Sequence, residues 1–194
     1  MANGIYSALA GAATQAQALD VMANNLANLE TTGFKGSRAI FKEVLIKADG
    51  VLNQTARQVV VDEVQTDFSH GGVLVTNRPL DLAIAGDGFF EIETAEGVRY
   101  TRSGSFQVDA ERNLTTADGG LVMGDGGPLQ APPERTLQVN ERGMLMADDL
   151  EIGTLKVVEF ENRDNLIQAG HSLWEAPEEL DQEVEVSQDH FGCT

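Results

Sequence analysis

The sequence predicts a mainly β protein: an antiparallel all-β body domain that carries an N-terminal coiled-coil-type helix. Two observations predict it. Apolar residues near the start recur at a 4-3-4-3-4-3 spacing, the a/d seam of a coiled coil. Beyond residue 57 the period falls to two, and turn residues punctuate the chain at roughly 8–12-residue intervals.

The seam runs through Ile5, Leu9, Ala12, Ala16, Leu19, Ala23 and Leu26, and Asp20 is the one charge between Met1 and Leu29. An ordinary surface helix places Glu and Lys on its outer face. This one carries Ala, Asn, Gln, Ser and Thr, so it reads as a helix to be covered by protein on more than one side. Asn3 can cap it, because its side-chain oxygen reaches the free amides of the first turn. A span from Gly4 to Leu29 is about 39 Å long at 1.5 Å per residue. Ala12 and Ala16 permit close helix approach. Gly11 and the Asn24-Asn25 pair lower intrinsic helicity, so the helix needs partners. Glu30-Thr31-Thr32-Gly33 ends it, with Gly33 suited to a left-handed turn position and Phe34 docked beside the turn.

Arg38 to Lys47 can be helical or extended, and residues 48–57 read as loop. Val59, Val61 and Glu63 then alternate with Val60, Asp62 and Val64, a β-branched strand. His70-Gly71-Gly72 reads as a turn before Val73 to Thr76. Leu80, Leu82 and Ile84 alternate with polar or small residues, and Gly86-Asp87-Gly88 turns into Phe89 to Ile92. Glu96-Gly97 signals a hairpin before Val98, Tyr100 and Arg102. Further strands are read at Phe106 and Val108, Leu121 to Met123, Leu137 to Val139, Met144 to Met146 and Ile152 to Phe160. Glu175 to Asp189 holds seven acids and no base, a solvated tail or an edge strand through Val184 and Val186. The expected organisation is an assembly helix and turn over 1–36, a linker over 37–56, a β body over 57–176 and an acidic tail over 177–194.

At 194 residues the chain holds one ordinary domain and an appendage. Its net charge is −18, and residues 1–47 carry +1 of that, which leaves −19 on the remainder. Such a body repels nucleic-acid phosphate and anionic lipid, so neither is an expected partner. Cys193 is the single cysteine, so no internal disulfide staples the fold. The N-terminus lacks the basic n-region and apolar h-region of a secretory signal, and no run approaches the roughly 20 apolar residues of a membrane span. Taken alone, these rules give a cytoplasmic protein without membrane insertion.

Asn24-Asn25-Leu26-Ala27-Asn28, followed by Thr31-Thr32-Gly33-Phe34-Lys35, resembles the flagellar rod, hook and hook-associated protein family. Leu80 to Phe90 and Tyr100 to Phe106 resemble the body domain of its rod members. Gly127-Pro128-Leu129 through Pro132-Pro133, Gly153 to Val158 and the short body are most similar to the proximal rod branch, and next to the distal one. The resemblance implies a structural subunit of the bacterial flagellar basal-body rod, a torque-transmitting shaft in the periplasm. It implies export through the flagellar type III apparatus without a cleaved signal, and partners that are other rod subunits and further copies of the chain. The terminal helices of the family line the inner tube, and its β domains form the outer layer. The family also pairs the first helix with a second seam helix at the C-terminus, a pattern that does not occur through Thr194. The seam is then expected to lack its intrachain partner, and residues 1–35 to be poorly ordered alone or to pair with another copy. The assembly residues are then the seven seam positions with Asn24, Asn25, Asn28, Gly33 and Phe34; the asparagines are expected to bridge neighbouring helices or cap backbone near the turn.

Rival classes carry less. An enzyme needs a nucleophile, a base and an orienting group, and His70, His171 and His190 are far apart in sequence. Gly86-Asp87-Gly88 and Gly124-Asp125-Gly126-Gly127 lack the Lys-Ser/Thr of a phosphate loop and the ligand spacing of an EF-hand, so hairpin turns explain them and no cofactor or metal is expected. A distal rod or hook-type subunit, and a soluble β binding module that engages a basic partner through its acidic tail, are the alternatives.

Overall fold

The computed structural model describes residues 2–47, 55–140, 142–170, 172–177, 185–186 and 191–193. The chain forms two compact units. Unit 1 is Met1–Thr31 with Lys35–Ser69, and unit 2 is Thr32–Phe34 with His70–Thr194.

Unit 1 holds helix α1 (Ala2–Ala27) and the strands β1 (Ser37–Lys47) and β2 (Thr55–Thr66). Ala2 is a strong helix former, and the helix takes in Asn3 instead of being capped by it. β1 and β2 pair antiparallel from Ser37↔Thr66 to Lys47↔Thr55, with a bulge between Ile40 and Phe41. The ambiguous stretch Arg38–Lys47 is thus extended, because the β-branched run Val59–Val61 and Val64 supplies a ladder partner that favours strand. Most of the stretch expected as a linker is therefore hairpin, and β2 stays in unit 1 while the body begins at His70. Residues 48–54, expected as loop, lie outside the described residues; Thr55–Arg57 belong to β2.

Unit 2 is antiparallel β, as the period-two reading predicts. Its strands are β3 (Leu82–Ile84), β4 (Phe89–Thr94), β5 (Gly97–Thr101), β6 (Phe106–Val108), β7 (Leu114–Thr116), β8 (Leu121–Gly124), β9 (Gly127–Pro128), β10 (Leu137–Val139), β11 (Met144–Ala147), β12 (Leu150–Thr154), β13 (Val157–Glu159), β14 (Ile167–Gly170), β15 (Leu173–Glu175), β16 (Glu185–Val186) and β17 (Phe191–Cys193). The largest sheet follows the order β14-β15-β5-β4-β8-β7-β6; β10, β11 and β12 form a second sheet, and β17 pairs with β3. Asp125-Gly126 closes the β8–β9 hairpin, which pairs Gly124 with Gly127.

β4 is the centre of the body. Phe89, Phe90, Glu91 and Ile92 are all buried, so both faces of this strand are covered and its sequence reads as a run instead of an alternation. Phe90 meets Phe106 edge to face at 5.0 Å, in a core shared with Ile92, Val122 and Leu145. On the opposite face Phe160 receives Phe89 at 5.7 Å and Tyr100 at 4.8 Å, both edge to face. Glu91 is buried there with its charge paired to Lys156 at 2.8 Å.

Three segments differ from their reading. Ile152–Phe160 is split into β12 and β13, because Leu155 and Lys156 turn aside to bond Gly143 and Met123. β14 carries no buried residue, so no alternation marked it in the sequence. His70-Gly71-Gly72 forms no turn, and Val73–Thr76 joins no ladder among the described residues. Of the acidic tail, Glu185–Val186 pairs with β13; Val184 and most of the remainder lie outside the described residues.

Unit 2 also closes an ionic cluster on Asp87. Its Oδ1 is 2.6 Å from Arg163 Nη1, 3.4 Å from His70 Nε2 and 3.9 Å from Arg102 Nη2. Arg102 is buried, donates to the Gly86 carbonyl at 2.6 Å and lies 4.9 Å from the centre of the Phe89 ring. Burial pushes the Asp87 carboxyl up, but the Arg163 hydrogen bond and the charges of Arg163, His70 and Arg102 outweigh it and hold the group below its ordinary value. A depressed folded value contributes stability above the unfolded value near 3.8, and that contribution is lost as pH falls through the folded one. Asp87→Asn should therefore lower the melting temperature of the body at neutral pH, and the difference from the parent should shrink below about pH 4. Thermal melts of both proteins across pH 2–7 check this, and a difference independent of pH would contradict it.

Candidate assembly interface

The seven seam residues lie on one side of α1, and all of them are exposed. Ile5 is 70 % exposed, Leu9 65 %, Leu19 59 % and Leu26 73 %. Residues two positions further along the helix, Thr14, Ala18, Val21, Asn25 and Asn28, are buried or half-buried. Two positions are about 200° of helix rotation, so the stripe and the inward face are nearly opposite. The inward face rests on the β1–β2 hairpin. The helix therefore packs within its own unit through the other side, and the seam itself is left without an intrachain partner, as expected.

Small and polar residues make that inner contact. Ala18 is buried and lets the backbones approach. Thr14 points its hydroxyl between the Ala10 carbonyl, at 2.9 Å, and the Val59 carbonyl of β2, at 3.0 Å. Asn25 donates from Nδ2 to the Ser37 carbonyl at 2.8 Å, and its Oδ1 accepts from the Ser37 amide at 2.9 Å. One side chain thereby satisfies both backbone groups of the first residue of β1, as a neighbouring strand would. Nearby, Asp67 donates its amide to the Gly36 carbonyl, and Lys35 Nζ donates to the Ser69 carbonyl, both at 2.7 Å.

The other motif residues divide. Asn28 closes the helix end: its amide and its Nδ2 both donate to the Asn24 carbonyl, at 3.1 and 3.0 Å, and Thr31 donates to its Oδ1. Asn24 keeps its own side chain exposed. Gly33 and Phe34 belong to unit 2. Gly33 has φ +72°, and a Cβ there would run into the backbone of Arg102 and Ser103, so this turn needs glycine for both its conformation and its close approach. Thr14, Ala18 and the hairpin were not read as part of the interface. Their signal was present as a second stripe, 14-18-21-25-28, offset by two from the apolar one. Among the described residues, no group of three or more His, Cys, Asp and Glu could hold a metal ion, and no helix is long and apolar enough to cross a membrane.

Comparisons with known proteins match the same two regions. Residues 5–35 match the family described as flagella basal body rod protein, and residues 83–147 the flagellar hook protein FlgE/F/G D1 domain. The flagellar basal-body rod protein FlgG of Bacillus subtilis is 33 % identical over 90 % of this chain and 73 % of its own length. FlgG of Agrobacterium fabrum is 37 % identical over 86 % and 72 %. The basal-body rod protein FlgF of Caulobacter vibrioides is 30 % identical over 90 % and 73 %.

Loss of the paired bonds in Asn25→Ala should cost on the order of 1–3 kcal/mol, because both Ser37 groups lose a partner. The loss should speed amide exchange at Ser37 and proteolysis within α1 while the melting of unit 2 is unchanged. Gly33→Ala should instead destabilise unit 2 by at least about 1 kcal/mol, read as a lower melting temperature of the body.

Proposed function

The chain belongs to the flagellar basal-body rod protein family, and from that premise we propose that it joins its neighbours through the outward stripe of α1: Ile5, Leu9, Ala12, Ala16, Leu19, Ala23 and Leu26. As a member of this family it is a structural subunit of the flagellar basal body that assembles with other rod subunits. The observation that carries the interface is the division of labour on one helix. Small residues face the chain's own hairpin, while the large aliphatic ones face outward. Each buried Leu or Ile side chain contributes about 1.5–3 kcal/mol, so docking favours whatever covers this stripe. A contact between two different surfaces propagates into an open helical filament, as a shaft requires. Asn24, exposed beside the stripe, would bond to the neighbouring helix; Asn25 and Asn28 hold the helix in the orientation that presents it.

The subunit reaches the periplasm unfolded through the flagellar export apparatus, without a cleaved signal. The thin inner contact of α1 suits such a passage, since little has to be undone before the helix enters a narrow channel. The Gly127–Pro133 and Gly153–Val158 runs and the short body favour the proximal part of the shaft. The 37 % identity to FlgG of Agrobacterium fabrum, above the 28–33 % of the FlgF relatives, favours the distal part as the second reading. Complementation of strains that lack one or the other rod protein separates the two.

Leu26→Asp places a carboxylate in the stripe. It should abolish incorporation into basal bodies and motility, and the thermal transition of the β body should stay unchanged. Isolated basal bodies that contain the variant at parental levels would overturn the assignment.

A further inference from the structure

The acidic run near the end of the sequence takes no part in the contacts described so far. Residues 175–189 hold seven acids and no base. Beyond residue 177, two short strands tie the chain to the body. β16 lies on β13, with Val158↔Val186 and Glu159↔Glu185 in register. β17 lies on β3, with Phe191↔Ile84, Gly192↔Ala83 and Cys193↔Leu82 in register.

Each pairing covers an edge. β13 has β4 on its other side, through Val157↔Phe90 and Val158↔Phe89, so among the described residues β16 is what keeps it from being the margin of the sheet. β17 is the one strand in a ladder with β3 among the described residues. The strands covered in this way are aliphatic, and Val157, Val158, Leu82 and Ile84 are all buried. Bare strands of that kind template the addition of a further strand, and the nearest source is the same edge of a second copy. β16 has the opposite character. It is two residues long, one of them Glu, within the acidic run. A short charged edge does not recruit a strand, and it repels another acidic copy.

We infer that β16 and β17 are an intrachain cover for the β13 and β3 edges, which keeps two copies of the body from joining sheet to sheet. The inference is independent of the α1 stripe, since it concerns a contact that the bodies are kept from making. The cover is not equally firm at its two ends. Glu159 and Glu185 stand directly opposite in the register, and like charges at such positions weaken a ladder. β17 and β3 pair over three residues with no charge in either strand. β16 is therefore the end that opens, and β17 is the anchor.

Hydrogen exchange and sedimentation of the full chain test the cover. Every protein carries Leu26→Asp, so that association through α1 does not enter. The triple variant Glu185→Pro/Val186→Pro/Gly192→Pro breaks both ladders, because proline has no amide to donate and does not fit a paired strand. Its exchange over residues 157–159 and 82–84 should rise several-fold, and it should form dimers and larger species as its concentration rises. Glu185→Gln removes the opposed charge and leaves the backbone intact, so exchange over 157–159 should slow several-fold and the protein should stay monomeric. Emission from Trp174, buried in the body, reports whether the fold persists, and Glu185→Gln decides the matter if the triple variant loses it. Parental exchange in the triple variant overturns the inference, as does faster exchange in a folded protein that remains monomeric. Exchange in Glu185→Gln that is unchanged or faster overturns it too. So does association of Glu185→Gln to the extent of the triple variant, since tail charge and not strand pairing would then keep copies apart.

Discussion

The rotation of α1 is the constraint on which the rest of unit 1 depends, and Asn25 sets it. A helix of small residues could roll on a hairpin at little cost, because Ala and Thr give no deep interlock. The two bonds from the Asn25 amide to Ser37, at 2.8 and 2.9 Å, remove that freedom. A roll of a few tens of degrees would strand the Ser37 amide and carbonyl, each at the cost of an unmade hydrogen bond. With Asn25 held inward, 3.6 residues per turn dictate that Ile5 to Leu26 face outward. A polar amide thus decides where the apolar residues go, which reverses the usual order in which burial of aliphatic side chains fixes a helix.

Unit 2 solves a different problem. With no disulfide it must rest on its own core, and it does so by covering one strand on both faces. Phe90 and Ile92 enter one cluster, while Phe89 joins Phe160 and Tyr100 on the other. The cost of this arrangement appears at Glu91, a buried carboxylate that Lys156 neutralises at 2.8 Å. The Asp87 cluster does the same at the surface for the loops that bring in His70, Arg102 and Arg163. The Glu91 and Asp87 pairs thus sit where burial and chain reversal meet, whereas an exposed pair such as Arg135–Asp148, 3.6 Å apart, contributes little.

Much of this was legible in the sequence, for reasons that can be stated. The apolar stripe of α1 was found because its spacing repeats without a break. The strands β3, β4, β6, β8, β10 and β11 were found because they bury residues at period two or lie between glycine turns. What was missed lacks such a signal. β14 buries nothing, so it has no face to alternate with. Arg38 to Lys47 reads equally well at either period, and only the pairing with Val59–Val64, remote in sequence, makes it a strand. The Asn-rich motif was recognised, and its asparagines were expected to bridge neighbouring helices or to cap backbone near the turn. Asn28 does the second, on the Asn24 carbonyl, and Asn25 bonds both backbone groups of Ser37 in its own unit, because an amide donates and accepts as readily to a strand of its own chain as to a neighbour. Gly33 was read as a turn residue, which its φ of +72° bears out. That it also lies against Arg102 and Ser103 could not be inferred without the fold.

The charge distribution gives these pieces a common direction. Residues 1–69 are nearly neutral at −2, and residues 70–194 carry −16. Within a packed filament, bodies approach closer than the roughly 8 Å over which physiological salt screens charge, so repulsion between them opposes assembly. Cohesion must then come from surfaces without charge. The outward stripe of α1 is one such surface, with Ile5, Leu9, Leu19 and Leu26 exposed along it. Acidity and assembly are in this sense complementary properties of one chain. The charge keeps free subunits apart through every contact that is not apolar, and it leaves the uncharged stripe as the place where association is least opposed. An arrangement of that kind restricts how subunits can meet without needing tight contacts between their bodies. It places the burden of specificity on a helix whose orientation a single asparagine holds.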